Sequence, residues 1–252
     1  MTACGARAVM CYDAAMARLD RLPPPPASPA RSPAVAVAGE TDATIAGLGG
    51  GPHLDARVHA PPSAARGVVL CHPHPLYGGS MHSPVPLAIA KALSDHAPDR
   101  VAWVRFDFRG VGASEGAFDG GRGEVDDVRA AIEHLAGAVP GAPIAVCGHS
   151  FGSWVGLRAA AAEARRVDRV LLVAPSTRFF GFGTDAPTFA GRTTIFVGTE
   201  DELFDVDEAR ALAAQLGADL RVFEGFDHHF LKSRRAMAEA ALAVVAPEAT
   251  NR

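Results

Sequence analysis

The stretch Pro143-Ile144-Ala145-Val146-Cys147-Gly148-His149-Ser150-Phe151-Gly152 limits what this chain can fold into more than any other. Ile144 to Cys147 is short and wholly apolar, which fits a strand buried on both faces of a parallel sheet. Gly148-x-Ser150-x-Gly152 follows at once, and the alanine-rich, helix-forming segment Ser153 to Ala164 comes next. Strand, Gly-x-Ser-x-Gly, helix is the context of a nucleophile elbow. The chemistry accounts for the glycines. Ser150 has to sit on a sharp, strained strand-to-helix turn so that its hydroxyl projects into a cleft. Side chains two residues to either side would collide, and glycine removes them. The helix that starts there aims its free N–H groups and positive dipole end at the same spot.

Similar alternation runs through the rest of the chain. Gly67 to Cys71, Val101 to Phe106, Arg169 to Ala174, Thr194 to Gly198 and Leu220 to Phe223 read as strands. Val85 to Asp95, Gly123 to Ala138, Asp207 to Leu216 and Lys232 to Val245 read as helices. Val125, Val128, Ile132 and Leu135 recur at helical spacing, with Asp126 and Asp127 in the first turn where the dipole favours them. Ala34 to Ala60 alternates loosely around Gly49-Gly50-Gly51-Pro52 and predicts an opening antiparallel hairpin. The fold class is therefore α/β: a mainly parallel twisted sheet with helices on both faces. Such sheets bind ligands beyond the carboxyl ends of their strands. Ser150, His72 to Tyr77, Asp201, His228 and His229 all follow strand ends, so the architecture brings them to one rim.

A serine hydroxyl is a weak nucleophile until a base takes its proton. Imidazole suits the task, and a carboxylate then fixes its tautomer. In the chain order of this architecture, the acid and then the histidine follow the serine. Only His228 and His229 lie downstream of Ser150, in Gly225-Phe226-Asp227-His228-His229-Phe230; His228 is preferred and His229 is the alternative. The acid should follow the strand Thr194 to Val197. Asp201 is favoured there, a short acid after a glycine turn, ahead of Glu200 and then Asp205. For the oxyanion, one donor is the Phe151 amide. The other comes from the loop after Cys71, where Pro73 and Pro75 have no N–H. Of His74, Leu76 and Tyr77, the His74 amide is favoured.

Other features narrow the function. The net charge of −4, without a basic run longer than a pair, argues against nucleic acid. No apolar run approaches the roughly 18 residues that span a bilayer, so membrane insertion is not expected. Met1 to Leu22 lacks the unbroken apolar core of a signal peptide. Cys71 and Cys147 fall in buried strands, which fits free thiols in a reducing cytoplasm. Residues 1–33, with Pro23 to Pro26 and Pro29, read as a disordered extension and stiff linker before a single domain over 34–247. Nothing in the sequence sets an oligomeric state. His72, His74 and His82 invite a metal reading, but no carboxylate lies near them in sequence; a loop wall is the better reading, with no metal and no cofactor. Gly110-Val111-Gly112-Ala113-Ser114-Glu115-Gly116 imitates a dinucleotide fingerprint with one residue too many and no helix behind it. A tight turn braced by Arg109 and Asp107 fits better.

These residues resemble the α/β-hydrolase superfamily, and more narrowly a bacterial group of small, lid-poor hydrolases. The matching pieces are His72-Pro73-His74-Pro75-Leu76-Tyr77-Gly78-Gly79, Arg105 to Gly116, Gly123 to Asp127, Gly148-His149-Ser150-Phe151-Gly152 and Asp227-His228-His229-Phe230. The resemblance covers about residues 40–245. It implies an α/β-hydrolase fold, a Ser150, Asp201, His228 triad, and cofactor-free, carboxylesterase-like cleavage of an ester or related acyl bond. The group usually has His-Phe-Phe where this chain has His228-His229-Phe230; alignment through Gly225 favours His228. The expected partner is a small-molecule acyl substrate. Ala174 to Arg192 is a short aromatic cap with Phe179, Phe180, Phe182 and Phe189, and the pocket is assigned to His149, Tyr77, Phe179 and Phe180. The rival functions are a peptidase, an acyltransferase or thioesterase using the same triad, and a ligand-binding homologue without turnover.

Overall fold

A computed structural model describes residues 35–180, 182 and 186–250. The extension assigned to residues 1–33 lies outside the described residues. Strands β1 (Thr41–Ile45) and β2 (Leu54–His59) pair antiparallel, with Thr41 opposite Val58 and Ile45 opposite Leu54. They form the hairpin expected over Ala34 to Ala60. The alternation then proceeds through β3 (Arg66–Cys71), α1 (Pro84–His96), β4 (Val101–Phe106), α2 (Arg122–Ala138), β5 (Ile144–His149) and α3 (Phe151–Ala162). It continues through β6 (Val167–Val173), β7 (Arg192–Gly198), α4 (Val206–Leu216), β8 (Asp219–Phe223), α5 (Arg234–Val245) and a final turn, α6 (Pro247–Thr250).

The strands form one eight-stranded sheet in the order β1-β2-β4-β3-β5-β6-β7-β8. β2 meets β4 antiparallel, and the pairings from β4 across to β8 are all parallel. Alternating side chains feed two cores. Val69, Cys71 and Val146 join Val128, Ile132 and Leu135 of α2, Val155 of α3 and Leu212 of α4 on one face. Val68, Leu70 and Cys147 join Ile89 and Leu93 of α1 and Met237 and Leu242 of α5 on the other. Each large side chain buried this way contributes roughly 1.5–3 kcal/mol of transfer free energy. The central strands have both faces covered, and β3, β4 and β5 are buried along their whole length.

Two polar clusters tie the ends of the sheet. At the amino ends of β3 and β6, Arg66 forks onto Asp168 and Glu248, which docks α6. At the carboxyl end of β4, Arg105 meets Glu40 at 2.6 Å with both side chains fully buried. Glu40 also accepts from Trp103 Nε1 and the Val37 amide, and Arg105 donates to the carbonyls of Val35 and Met81. Residues 35–40 are thereby strapped to β4 and to the loop that follows β3. Nothing in the sequence reading anticipated this pair, because Glu40 and Arg105 are far apart in the chain and lie in no shared motif.

Candidate active site

The Gly148–Gly152 turn has the geometry that its sequence demands. Ser150 adopts φ 54°, ψ −114°, a left-handed backbone that a non-glycine residue holds only when its surroundings enforce it. The Ser150 amide donates to the Val173 carbonyl at 2.9 Å, and Ser153 Oγ donates to the Gly148 carbonyl at 2.6 Å. A Cβ on Gly148 would stand 2.2 Å from the Gly152 backbone, and one on Gly152 would stand 2.6 Å from the carbonyl oxygens of Cys71 and His72. The two glycines are therefore required by space, one inside the turn and one against the end of β3. The helix expected from Ser153 begins earlier, at Phe151, so that the residue after Ser150 is its first.

Asp201 follows β7 and His228 follows β8, each 7% exposed. His228 Nδ1 lies 3.0 Å from both Asp201 oxygens. Asp201 Oδ1 also accepts from the amides of Leu203 and Phe204, which fixes the carboxylate. A carboxylate so placed holds the proton on Nδ1 and leaves Nε2 as the imidazole's basic nitrogen. Among the described residues no hydrogen bond joins Ser150 Oγ to the His228 ring; such contacts commonly tighten only when substrate is bound. His229 is exposed, with its ring 5.2 Å from that of His228. Desolvation of the part of its ring that faces the protein, then the neighbouring His228, lowers its pKa. Glu200 is exposed, while Asp205 caps α4 by accepting from the Glu208 amide. Of the candidate acids, Asp201 alone is paired with an imidazole.

The β3 loop lies against the elbow. The His74 ring sits 5.0 Å from that of Phe151 and 4.9 Å from that of Tyr77. Among the described residues, neither the Phe151 amide nor the His74 amide donates to a protein acceptor. His74 Nδ1 accepts from the Leu76 amide, so the ring proton is on Nε2, and burial lowers the ring's pKa to about 4. His72 is a structural bridge: Nδ1–H donates to the Pro73 carbonyl and Nε2 accepts from the Phe108 amide. Burial lowers its pKa to about 3, despite the Pro73 carbonyl. His82 Nδ1 faces Arg105 and the Val35 amide. The three histidines of this loop thus serve separate partners. Arg109 grips Asp127 through its side chain and its amide. The Asp107 carboxylate accepts from the Met81 amide at 2.6 Å. Both brace loops, as the glycine-rich turn suggested.

Of the residues assigned to the pocket, Tyr77 is 36% exposed at the rim. Phe179 is partly buried, and Phe180 is 4% exposed and stacks on Trp154 at 5.7 Å. Phe182 is likewise core. His149 is 1% exposed, and its Nε2 lies 3.0 Å from the His228 carbonyl; it offers the cleft almost no surface. The sequence assigns His149 to the pocket; in the structure β5 turns this side chain toward the loop before α5.

A sheet of this topology, with an elbow serine after the central strand β5 and a carboxylate–imidazole pair carried by the loops after β7 and β8, is the arrangement of a serine hydrolase of the α/β class. Two family models match the chain: serine aminopeptidase S33 over residues 62–180 and serine hydrolase over residues 124–244. The uncharacterized protein RP471 of Rickettsia prowazekii (strain Madrid E) is 31% identical over 182 residues, covering 67% of this chain and 73% of that protein. The crystal structure of XC6422 from Xanthomonas campestris, described as an a/b serine hydrolase without lid, is 30% identical. It superposes with a TM-score of 0.70 over 83% of this chain and 94% of that one. An alpha-beta serine hydrolase homologue from Coxiella burnetii is 28% identical, with a TM-score of 0.69 over 82% of this chain and 97% of that one. The chain belongs to the α/β serine hydrolases.

Proposed function

We propose that this protein cleaves an ester or related acyl bond of a small molecule through a Ser150–His228–Asp201 triad and an acyl-enzyme. The observation that carries the reading is the buried Asp201–His228 pair, in a chain whose Ser150 is held at φ 54° and whose preceding residue, His149, contacts the His228 carbonyl. His228 Nε2 takes the Ser150 proton as Oγ attacks the acyl carbon. The negative oxygen of the tetrahedral intermediate is received by the amides of Phe151 and His74, which are free to donate. Asp201 stabilises the imidazolium, and His228 returns the proton to the leaving group as it departs. Water then repeats the attack on the acyl-enzyme, with His228 again as base. The chemistry needs no metal or cofactor.

The match to a serine aminopeptidase model favours a peptidase as the second reading. Tyr77 at the rim and the rings of His74, Phe151 and Phe180 behind it support an acyl group of small or medium size. The unbridged thiols of Cys71 and Cys147 support a reducing cytoplasm. Among the described residues no helix is long and apolar enough to cross a membrane. The test is turnover of a panel of esters, thioesters and aminoacyl amides. Activated esters of short acyl chains should be cleaved, and Ser150→Ala should abolish that turnover. Cleavage of aminoacyl amides in preference to esters would establish the peptidase instead. Unchanged ester hydrolysis by Ser150→Ala would refute the triad.

A further inference from the structure

We infer that His149 is a positioning residue, whose ring ties the backbone of the base His228 to the strand that ends in the nucleophile. The inference rests on the triad reading above. Alternation along β5 places His149 on the same face as Ala145 and Cys147, the face that carries α1 and α5. The loop leading to α5 closes over that face. His149 Nε2 lies 3.0 Å from the His228 carbonyl oxygen in a buried contact. A carbonyl can only accept, so Nε2 carries the proton and donates it. The rings of His149 and His228 are 5.2 Å apart, and those of His149 and His229 are 5.7 Å apart.

The bond joins two points that the chemistry needs in register. Its donor residue is covalently bonded to Ser150, and its acceptor residue is the base itself. A shift of the His228 backbone relative to β5 moves the imidazole relative to the hydroxyl by a similar amount. The turn that bears His228 also has a strained end: Phe230 holds φ 54°, and its amide donates to the Asp227 carbonyl. Asp227 Oδ1 accepts from the Leu231 amide, and Phe230 is fully buried against Phe223 and Phe226. Strain of this kind persists only when surrounding contacts over-determine it. The His149 ring supplies such a contact at the residue that matters.

Charge explains why an imidazole can stand there. Catalysis requires His228 to become positive, and a second positive ring 5.2 Å away would oppose it. Burial, followed by the proximity of His228, holds His149 well below the usual histidine pKa, so it remains neutral. Among the described residues its Nδ1 has no partner, a desolvation cost that an apolar packing residue would not incur. The Nε2 bond is the return on that cost.

The test compares wild type, His149→Phe and His149→Gln. Phenylalanine keeps the ring and removes the donor; glutamine restores an N–H near the position of Nε2. The readouts are kcat and KM for p-nitrophenyl acetate, the rate of Ser150 labelling by a fluorophosphonate, and the melting temperature. His149→Phe should lower kcat and the labelling rate about 10- to 100-fold with KM within about twofold, the scale of a misplaced catalytic group. His149→Gln should recover most of that loss. Wild-type kcat in His149→Phe overturns the inference, whatever its melting temperature. So does an equal loss in the two variants when His149→Gln melts like wild type. If wild type neither labels nor turns over, the triad reading falls and takes this inference with it.

Discussion

The Phe226 carbonyl occupies the space that a side chain on Gly198 would need: an added Cβ would stand 1.9 Å from its oxygen. The Glu200 amide donates to the same carbonyl at 2.9 Å, and the Gly225 amide donates to Thr199 Oγ1 at 2.8 Å. The turn that carries Asp201 and the loop that carries His228 are thus one interlocked unit, built where β7 and β8 lie side by side.

Gly198→Ala should therefore act on both halves of the acid–base pair at once. The alanine methyl has to push Phe226 aside, an overpacking that costs about 1–3 kcal/mol. Ester turnover should fall at least about tenfold, because the displaced loop carries the imidazole. Thermal melting together with initial rates would check this; an unperturbed rate would show that the two loops move independently.

The two histidines should separate cleanly. Asp201→Asn keeps an oxygen for the Leu203 and Phe204 amides but favours the wrong imidazole tautomer, and kcat should drop on the order of 10³–10⁴-fold. His228→Ala should fall as far. His229→Ala should stay within about threefold of wild type, since His229 is exposed and, among the described residues, no carboxylate pairs with it. Steady-state kinetics on one activated ester would decide, and the reverse ranking of 228 and 229 would reassign the base.

Asp107 gives a stability prediction with a definite sign. Burial raises its carboxyl pKa from 3.8 to about 6, against the lowering effect of the Met81 amide. The folded chain therefore holds this proton more tightly than the unfolded chain does. Stability from this group is greatest below about pH 4, declines as pH rises through 6, and is flat above. That range is worth on the order of 3 kcal/mol. Asp107→Asn keeps an acceptor for Met81 and removes the buried charge. It should be more stable than wild type in urea at pH 8, with the difference vanishing near pH 4.

The Glu40–Arg105 pair predicts strong non-additivity. Removing one partner leaves a fully buried charge, so Glu40→Leu and Arg105→Met should each cost about 3–5 kcal/mol. The double variant should recover much of that loss. Urea unfolding of the four proteins gives the coupling directly, and additive losses would contradict it.

Much of the candidate site's geometry was legible in the chain. Gly148, Ser150 and Gly152 could be read because the turn is local: its steric demands fall on residues two apart, which spacing displays. Asp201 and His228 were reachable because each follows a strand, and chain order limits the candidates. The reading of His149 as a pocket wall failed for a specific reason. Its neighbour in sequence is Ser150, but its neighbour in space is a carbonyl 79 positions later. The role of Glu40 was invisible for the same reason, since its partner is 65 positions away.

By itself the sequence determined the alternation of strand and helix, the parallel sheet and the strained serine turn, because apolar periodicity and glycine placement act over a few residues. Only the tertiary structure decided which carboxylate meets which imidazole, and which ring reaches the His228 carbonyl. Those pairings depend on distances between strand ends, which are set by the order β3-β5-β6-β7-β8 and by the packing of both faces.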